Sequence, residues 1–259
     1  METKIGDVKV VALTALLAAV VFVFTIVIAI SIPATGGFWN IGETGVFIAA
    51  FIGGPVVGAL AGGVGSALAD LYLGYPEYAP GTLVIKAVEG LVVGYLYSLL
   101  MGGKESAEKK KVLIVAILII FGVTMASFLH IYLNLGMSSI IIELTSKPLS
   151  LSFRVEIGIW VFLTFVATVE LITLLLLLWG KKTHIMIFSC MIGGILMVFG
   201  YFLYETLILG GEAAIVEVIP NFFQAIVGAA ISIPVIRKLE EMGILDRIRE
   251  FMGPISKPE

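Results

Sequence analysis

NIGETGVFIAAFIGGPVVGALAGGVGSALADLYLGYPEYAPGTLVIKAVEGLVVGY, residues Asn40 to Tyr95, decides the fold. Gly54, Gly58, Gly62 and Ser66 recur at four-residue intervals and Asp70 closes the row, while Ala59, Gly63 and Ala67 form a second row beside it. In an apolar helix such rows let backbones approach closely, because no side chain projects from the contact face. Glu43, Asp70, Lys86 and Glu89 are set among them. Charges inside apolar segments are costly, so they pair with one another or line a polar cavity. Close-packed helices carrying buried charges point to a transport or solute-binding protein.

Composition fixes the solvent. Of 259 residues, 59% are hydrophobic and 14% charged, and the mean hydropathy is +1.11. A soluble domain of this length has no interior large enough for that much apolar surface, so the chain belongs in a bilayer. The net charge of -3 says little, because the placement of Lys and Arg matters more than their sum. The single cysteine, Cys190, lies in an apolar run and reads as a packing residue, with neither a disulfide framework nor a thiolate metal site.

Outward from the central stretch, the first apolar run is Val8 to Ile32, too long for a signal-peptide core and read as a first transmembrane helix. Pro33 to Gly42 reads as a loop. A short helix from Glu43 to Gly53 is stopped by Pro55, and Val56 to Leu71 follows. At about 1.5 Å per residue each is too short to span unaided, so both must dip or lie within protein. Leu73 to Gly81 is a second loop and Thr82 to Met101 the next helix, ending in the polar GGKESAEKKK. Val112 to Leu135 and Glu156 to Trp179 read as two further spans joined by a segment containing Pro148. Ile185 to Leu209 and Ile215 to Ile236 are the last two. In the tail, Leu239, Met242, Leu245, Ile248 and Met252 share one helical side, the pattern of an interfacial amphipathic helix.

The expected architecture is therefore an all-α polytopic membrane protein with eight membrane segments. With both termini cytoplasmic, all of the 16 Lys and Arg residues except Lys86, Lys147 and Arg154 fall on the cytoplasmic side, as the positive-inside rule requires. In this topology Glu43, Asp70, Lys86 and Glu89 lie in the outer half of the membrane. So do the i,i+4 pair Tyr201 and Glu205 and the stripe Glu217, Asn221, Gln224 and Gly228. Beneath the loops carrying Trp39, Asn40, Tyr75 and Tyr78 they would form a polar cup open to the outside. Lys86 and Glu89, sharing a face at i,i+3, could also lock helix to helix without touching a ligand.

Catalytic devices are missing from the sequence. GGKES lacks the spacing of a phosphate loop, and no H-E-x-x-H exists, His130 and His184 standing alone. GVGSALAD lacks the G-x-S-x-G spacing. No enzyme activity, cofactor, metal site or nucleic-acid partner is expected.

The run from Asn40 to Pro80, followed by TLVIKAVEGLVVG, resembles the S component of energy-coupling factor (ECF) transporters, most closely the riboflavin-type branch. ALTALLAAV resembles the first helix of that family, and GGILMVFGYFLYETLILG and EVIPNFFQAIVGAAISIPVIRKL its last two. The resemblance implies a six-helix core, residues 1–111 and 181–238, interrupted by an inserted transmembrane hairpin at 112–180 and followed by a cytoplasmic tail at 239–259. It further implies capture of a vitamin or related micronutrient from outside, riboflavin-like as a first guess. Delivery would follow docking, through small residues of the first helix, onto a membrane T component coupled to two ATPases. Ala12, Ala15 and Ala19 are the docking candidates, and Trp39, Asn40, Glu43, Asp70, Tyr75, Tyr78, Lys86, Glu89, Glu205, Asn221 and Gln224 the substrate-binding candidates. Two alternatives stay open: a self-sufficient secondary transporter using Asp70, Lys86 and Glu89 as an ion relay, and a non-transporting membrane scaffold.

Overall fold

The computed structural model describes residues 8–33, 35–101, 140–146, 149–155, 182–209 and 214–252. The chain falls into two compact units, Met1–Lys104 with Gly180–Glu259, and Glu105–Trp179. In the first unit, α1 (Val8–Val27) leads into an antiparallel hairpin of β1 (Ala29–Ile32) and β2 (Gly37–Asn40). Then come α2 (Glu43–Leu73), α3 (Ala79–Met101), α4 (Lys182–Leu207), α5 (Ala214–Glu241) and the short α6 (Ile244–Met252). Of these, α1 to α5 are long and apolar enough to cross a membrane.

The described residues are mostly helical, consistent with an all-α membrane protein, with two short antiparallel hairpins beside the helices. The run read as helix to Ile32 turns to strand after Val27, and the expected loop contains β2, with Ile30 opposite Trp39 and Ile32 opposite Gly37. The 20 residues of α1 already reach about 30 Å, the thickness of the hydrocarbon layer. Past that point the alternating Ile28, Ile30 and Ile32 favour extended backbone.

Helix α2 is two limbs. Gly54 adopts φ 74° and ψ -166°, a conformation open to glycine, and Pro55 starts the second limb. In a straight rod Val46 and Gly62 would stand about 24 Å apart. Here a Cβ added at Gly62 would come 3.1 Å from the Val46 side chain, and one at Gly58 would come 2.9 Å from the Ala50 backbone. The chain doubles back at Gly54, so both ends of α2 lie at the same end of the bundle.

The glycine row is what the second limb uses against α3. Gly94 abuts the Gly54–Pro55 peptide, Gly90 abuts the Gly58 carbonyl, and the Lys86 carbonyl lies 3.0 Å from where a Gly62 Cβ would be. This is an antiparallel, backbone-to-backbone contact that no larger residue permits. Gly45 and Gly65 meet Val21 and Ala18 of α1 in the same way. Phe47, Phe51, Val93, Tyr97, Met186, Cys190, Ile233 and Ile236 fill the interior among α2, α3, α4 and α5.

Two other elements differ from the reading of the sequence. Helix α3 begins at Ala79, with Pro80 in its first turn, where a missing N–H is tolerated. Helix α5 runs on to Glu241, and Gly243 (φ 68°) then turns the chain into α6. The apolar stripe of the tail packs on the bundle: Leu245 and Met252 are buried, Leu239 and Ile248 partly so, and Met242 stays exposed. Lys9 donates to the Phe251 carbonyl at 2.8 Å, Lys182 pairs with Glu240, and Arg237 donates to Thr183 at 3.2 Å. The starts of α1 and α4, the end of α5 and α6 therefore share the basic end of the bundle.

In the second unit, β3 (Ile140–Ser146) and β4 (Leu149–Val155) form an antiparallel hairpin with Glu143 opposite Ser152. This hairpin stands where a plain connection was expected. The two spans read at 112–135 and 156–179 lie outside the described residues.

Candidate substrate-binding site

Glu43 opens α2, where the unsatisfied N–H groups of the first turn favour a negative charge. The turn before it is set by Asn40, whose Oδ1 accepts from the Gly42 N–H at 2.7 Å. Across from Glu43, Gly228 of α5 lets the two backbones meet, since a Cβ there would clash with Glu43. One turn earlier Gln224 binds both flanks of this corner. Its Nε2 donates to Glu43 Oε1 at 2.8 Å, and its Oε1 accepts from the Asn40 N–H at 3.1 Å.

Lys86 enters from α3 and pairs with Glu43 through Nζ, while also donating to Glu89 Oε2 at 3.3 Å. Its ammonium lies 5.5 Å from the Tyr201 ring centre, within cation–π range. Lys86, Glu43, Glu89 and Gln224 are each at most 3% exposed. The sequence expectation paired Lys86 with Glu89 on one helix; the structure adds Glu43 from a second helix and Gln224 from a third. The result is a hub tying α2, α3 and α5.

A second group lies nearer the hairpin. Thr35, in the β1–β2 turn, donates to Glu217 of α5. Tyr78 donates to the Thr35 carbonyl at 3.2 Å, and burial, with Glu205 and Glu217 nearby, pushes its phenol up. The Thr82 and Tyr201 hydroxyls lie 3.0 Å apart, and Thr82 also bonds Asp70. Asp70, Glu205 and Glu217 are buried. Asn221 is buried on the α5 stripe between Glu217 and Gln224. Tyr75 stacks on Phe38, ring centres 4.7 Å apart, and Trp39 is half-buried on β2. Among the described residues neither Trp39 nor Tyr75 is hydrogen-bonded to the Lys86 hub.

Acceptors are in excess here. Among the described residues, Glu43 Oε2, Asp70 Oδ2, Glu89 Oε1 and both oxygens of Glu205 are buried without a donor. Each such atom is destabilising until a donor reaches it. Two contributors, Thr35 and Thr82, were not among the residues selected from sequence, and Tyr201 and Glu217 were noted only as part of a pair and of a stripe. Thr82 precedes Lys86 by one turn on α3, and that i,i+4 spacing was the available signal. The role of Thr35 depends on a strand register that the sequence does not display.

Ala12, Ala15 and Ala19 lie elsewhere, exposed on the side of α1 turned away from α2, whereas Ala18 faces Gly65.

Over 75 residues the chain is 51% identical to a Pyrococcus woesei protein described as "Uncharacterized protein in gap 3'region". The matched part is 29% of this chain and 50% of that protein, so the chain spans about half the length of the curated relative it matches. A family model described as "ECF-type riboflavin transporter, S component" matches residues 6–178, taking in the segment read as an insertion and ending before α4. With α1, the glycine-packed α2 and α3, and three of the four Lys86-hub residues inside that match, the chain belongs to the riboflavin-type S components of ECF transporters.

Proposed function

We propose that this protein is the membrane-embedded substrate-capture subunit of an ECF importer, binding a vitamin-like micronutrient from outside and delivering it by docking on a T component with its ATPases. The observation that carries this reading is the set of buried carboxylate oxygens without donors, gathered at one end of a close-packed bundle. A bundle held together by glycine contacts needs no such groups for its own stability, and a ligand rich in hydrogen-bond donors would satisfy them. The aromatic groups at the rim, Trp39 and the Phe38–Tyr75 stack, suit a flat heteroaromatic ring. The basic end, with Lys9, Lys182, Arg237, Lys238, Arg247 and Arg249, favours the cytoplasmic side of the cell membrane, and on that reading the site faces outside. The exposed Ala12, Ala15 and Ala19 offer the T component a flat helix face.

The test is binding of riboflavin to the detergent-purified protein, read by quenching of flavin and tryptophan fluorescence, followed by uptake into cells with and without the coupling module. Saturable binding with module-dependent uptake is expected. Uptake that persists without the module would replace this reading with secondary transport. Failure of riboflavin, thiamine and pyridoxine to bind would remove the capture role.

A further inference from the structure

Glu205 is set apart within the site. Glu43 and Glu89 pair with Lys86, Glu217 accepts from Thr35, and Asp70 bonds Thr82. Among the described residues neither oxygen of Glu205 has a donor, and the residue is 2% exposed. It stands one turn beyond Tyr201 on α4, within electrostatic reach of Glu217 and Tyr78. Its surroundings supply no relief: Tyr78 donates to the Thr35 carbonyl, and Lys86 is committed to Glu43 and Glu89. Among the described residues no three His, Cys, Asp or Glu side chains converge as a metal site. What this position lacks among the described residues is a hydrogen-bond donor.

We infer that Glu205 is a specificity-determining residue, accepting hydrogen bonds from the donor-bearing portion of the ligand, either the hydroxyls of a polyol chain or an ammonium or amino group. The inference rests on the substrate-capture reading and adds to it the residue that selects the ligand's donor side. Carboxylate acceptors buried in this way discriminate strongly, because an analogue lacking the donor leaves them unpaired.

The experiment compares wild type, Glu205→Leu and Glu205→Gln as purified full chains, with three probes. Riboflavin carries a ring and a polyol, lumiflavin carries the same ring with a methyl group in place of the polyol, and thiamine is cationic. For a polyol ligand, Glu205→Leu should weaken riboflavin by about tenfold or more and leave lumiflavin within about twofold. For a cationic ligand, Glu205→Gln should weaken thiamine to a similar extent although it keeps an acceptor. Without ligand, Glu205→Leu should melt at or above wild type, since it removes an unpartnered buried acid. A lower melting temperature, an equal loss for riboflavin and lumiflavin, or no loss with any probe would make Glu205 structural and overturn the inference while leaving capture standing. If neither these probes nor pyridoxine bind wild type, the capture reading falls and this inference falls with it.

Discussion

Lys86→Met is the substitution whose consequence the structure fixes most closely. Methionine keeps most of the apolar stem and removes the ammonium that pairs with Glu43 and Glu89. Glu43 retains the Gln224 donor, whereas Glu89 is left with both oxygens unpaired. Removing one partner of a buried ion pair typically destabilises by about 3–5 kcal/mol. Protonation limits the damage, since neutralising an ordinary glutamate at pH 7 costs about 4 kcal/mol. Two stranded carboxylates, one still hydrogen-bonded, therefore give an expected loss of about 4–6 kcal/mol. At about 2–4 °C per kcal/mol, the melting temperature should fall by about 8–24 °C. Neutralising all three in Glu43→Gln, Lys86→Met, Glu89→Gln should recover most of that fall, because nothing charged remains to be desolvated.

The assay is built into the chain. Cys190 is the single cysteine and is buried in the core beside Phe47 and Val93, so a thiol-reactive dye reports its exposure on heating. A Lys86→Met protein melting within about 2 °C of wild type, or a triple variant melting below the single one, would refute the electrostatic account of the hub.

Two further outcomes test the frame around the site. Gly90→Leu should destabilise by about 3 kcal/mol or more in the same dye assay, because its Cβ would collide with the Gly58 carbonyl and force α2 from α3; wild-type melting would mean that the two helices slide apart freely. Ala15→Trp with Ala19→Trp should abolish module-dependent uptake while riboflavin binding to the purified protein stays intact; loss of both would place these alanines in bundle packing.

Much of this arrangement was legible because glycine spacing and charge placement each carry one meaning in an apolar segment. The Gly54, Gly58 and Gly62 row announced a backbone contact, and Gly54–Pro55 announced the break between two short limbs. What the row could not name was its partner, since Gly90 and Gly94 fit many registers until the helices are docked. Glu43, Lys86, Glu89 and Gln224 were each noticeable as polar residues in apolar helices, yet the pairing of Lys86 with Glu43 crosses helices and follows from the fold-back at Gly54. The β1–β2 hairpin was hidden for a different reason. Ile28 to Ile32 continues an apolar run, and hydropathy alone does not distinguish a helix end from a strand that begins where the bilayer stops. The tail stripe was read as an interfacial helix, but an apolar face of that kind suits a lipid surface and a bundle end equally well, and here Leu245 and Met252 pack on the bundle.

The hub and the exposed alanines are separated by the thickness of one helix. Glu43 sits on the first limb of α2, and two residues on, Gly45 brings that limb against the Val21 backbone of α1. Gly65, on the second limb, presses on the Ala18 carbonyl. Ala15 and Ala19 face outward from the same helix. A change in the position of Glu43, such as loss or gain of a donor at its free oxygen, thus acts on α1 through backbone contacts that have no side chain to absorb it. Close packing of this kind transmits displacement rather than damping it. Along the same face Val10, Leu17 and Val21 are buried in a cluster with Val46, Ala49, Val57 and Ala61 of α2, while the opposite face of α1 is exposed. The glycine contacts lie on that packed face too, and at the start of α1 Lys9 donates to the Phe251 carbonyl. With one face packed on α2 and the other exposed, α1 is the element on which the proposed T component would dock, while the α2–α3 core that holds the charges keeps its geometry.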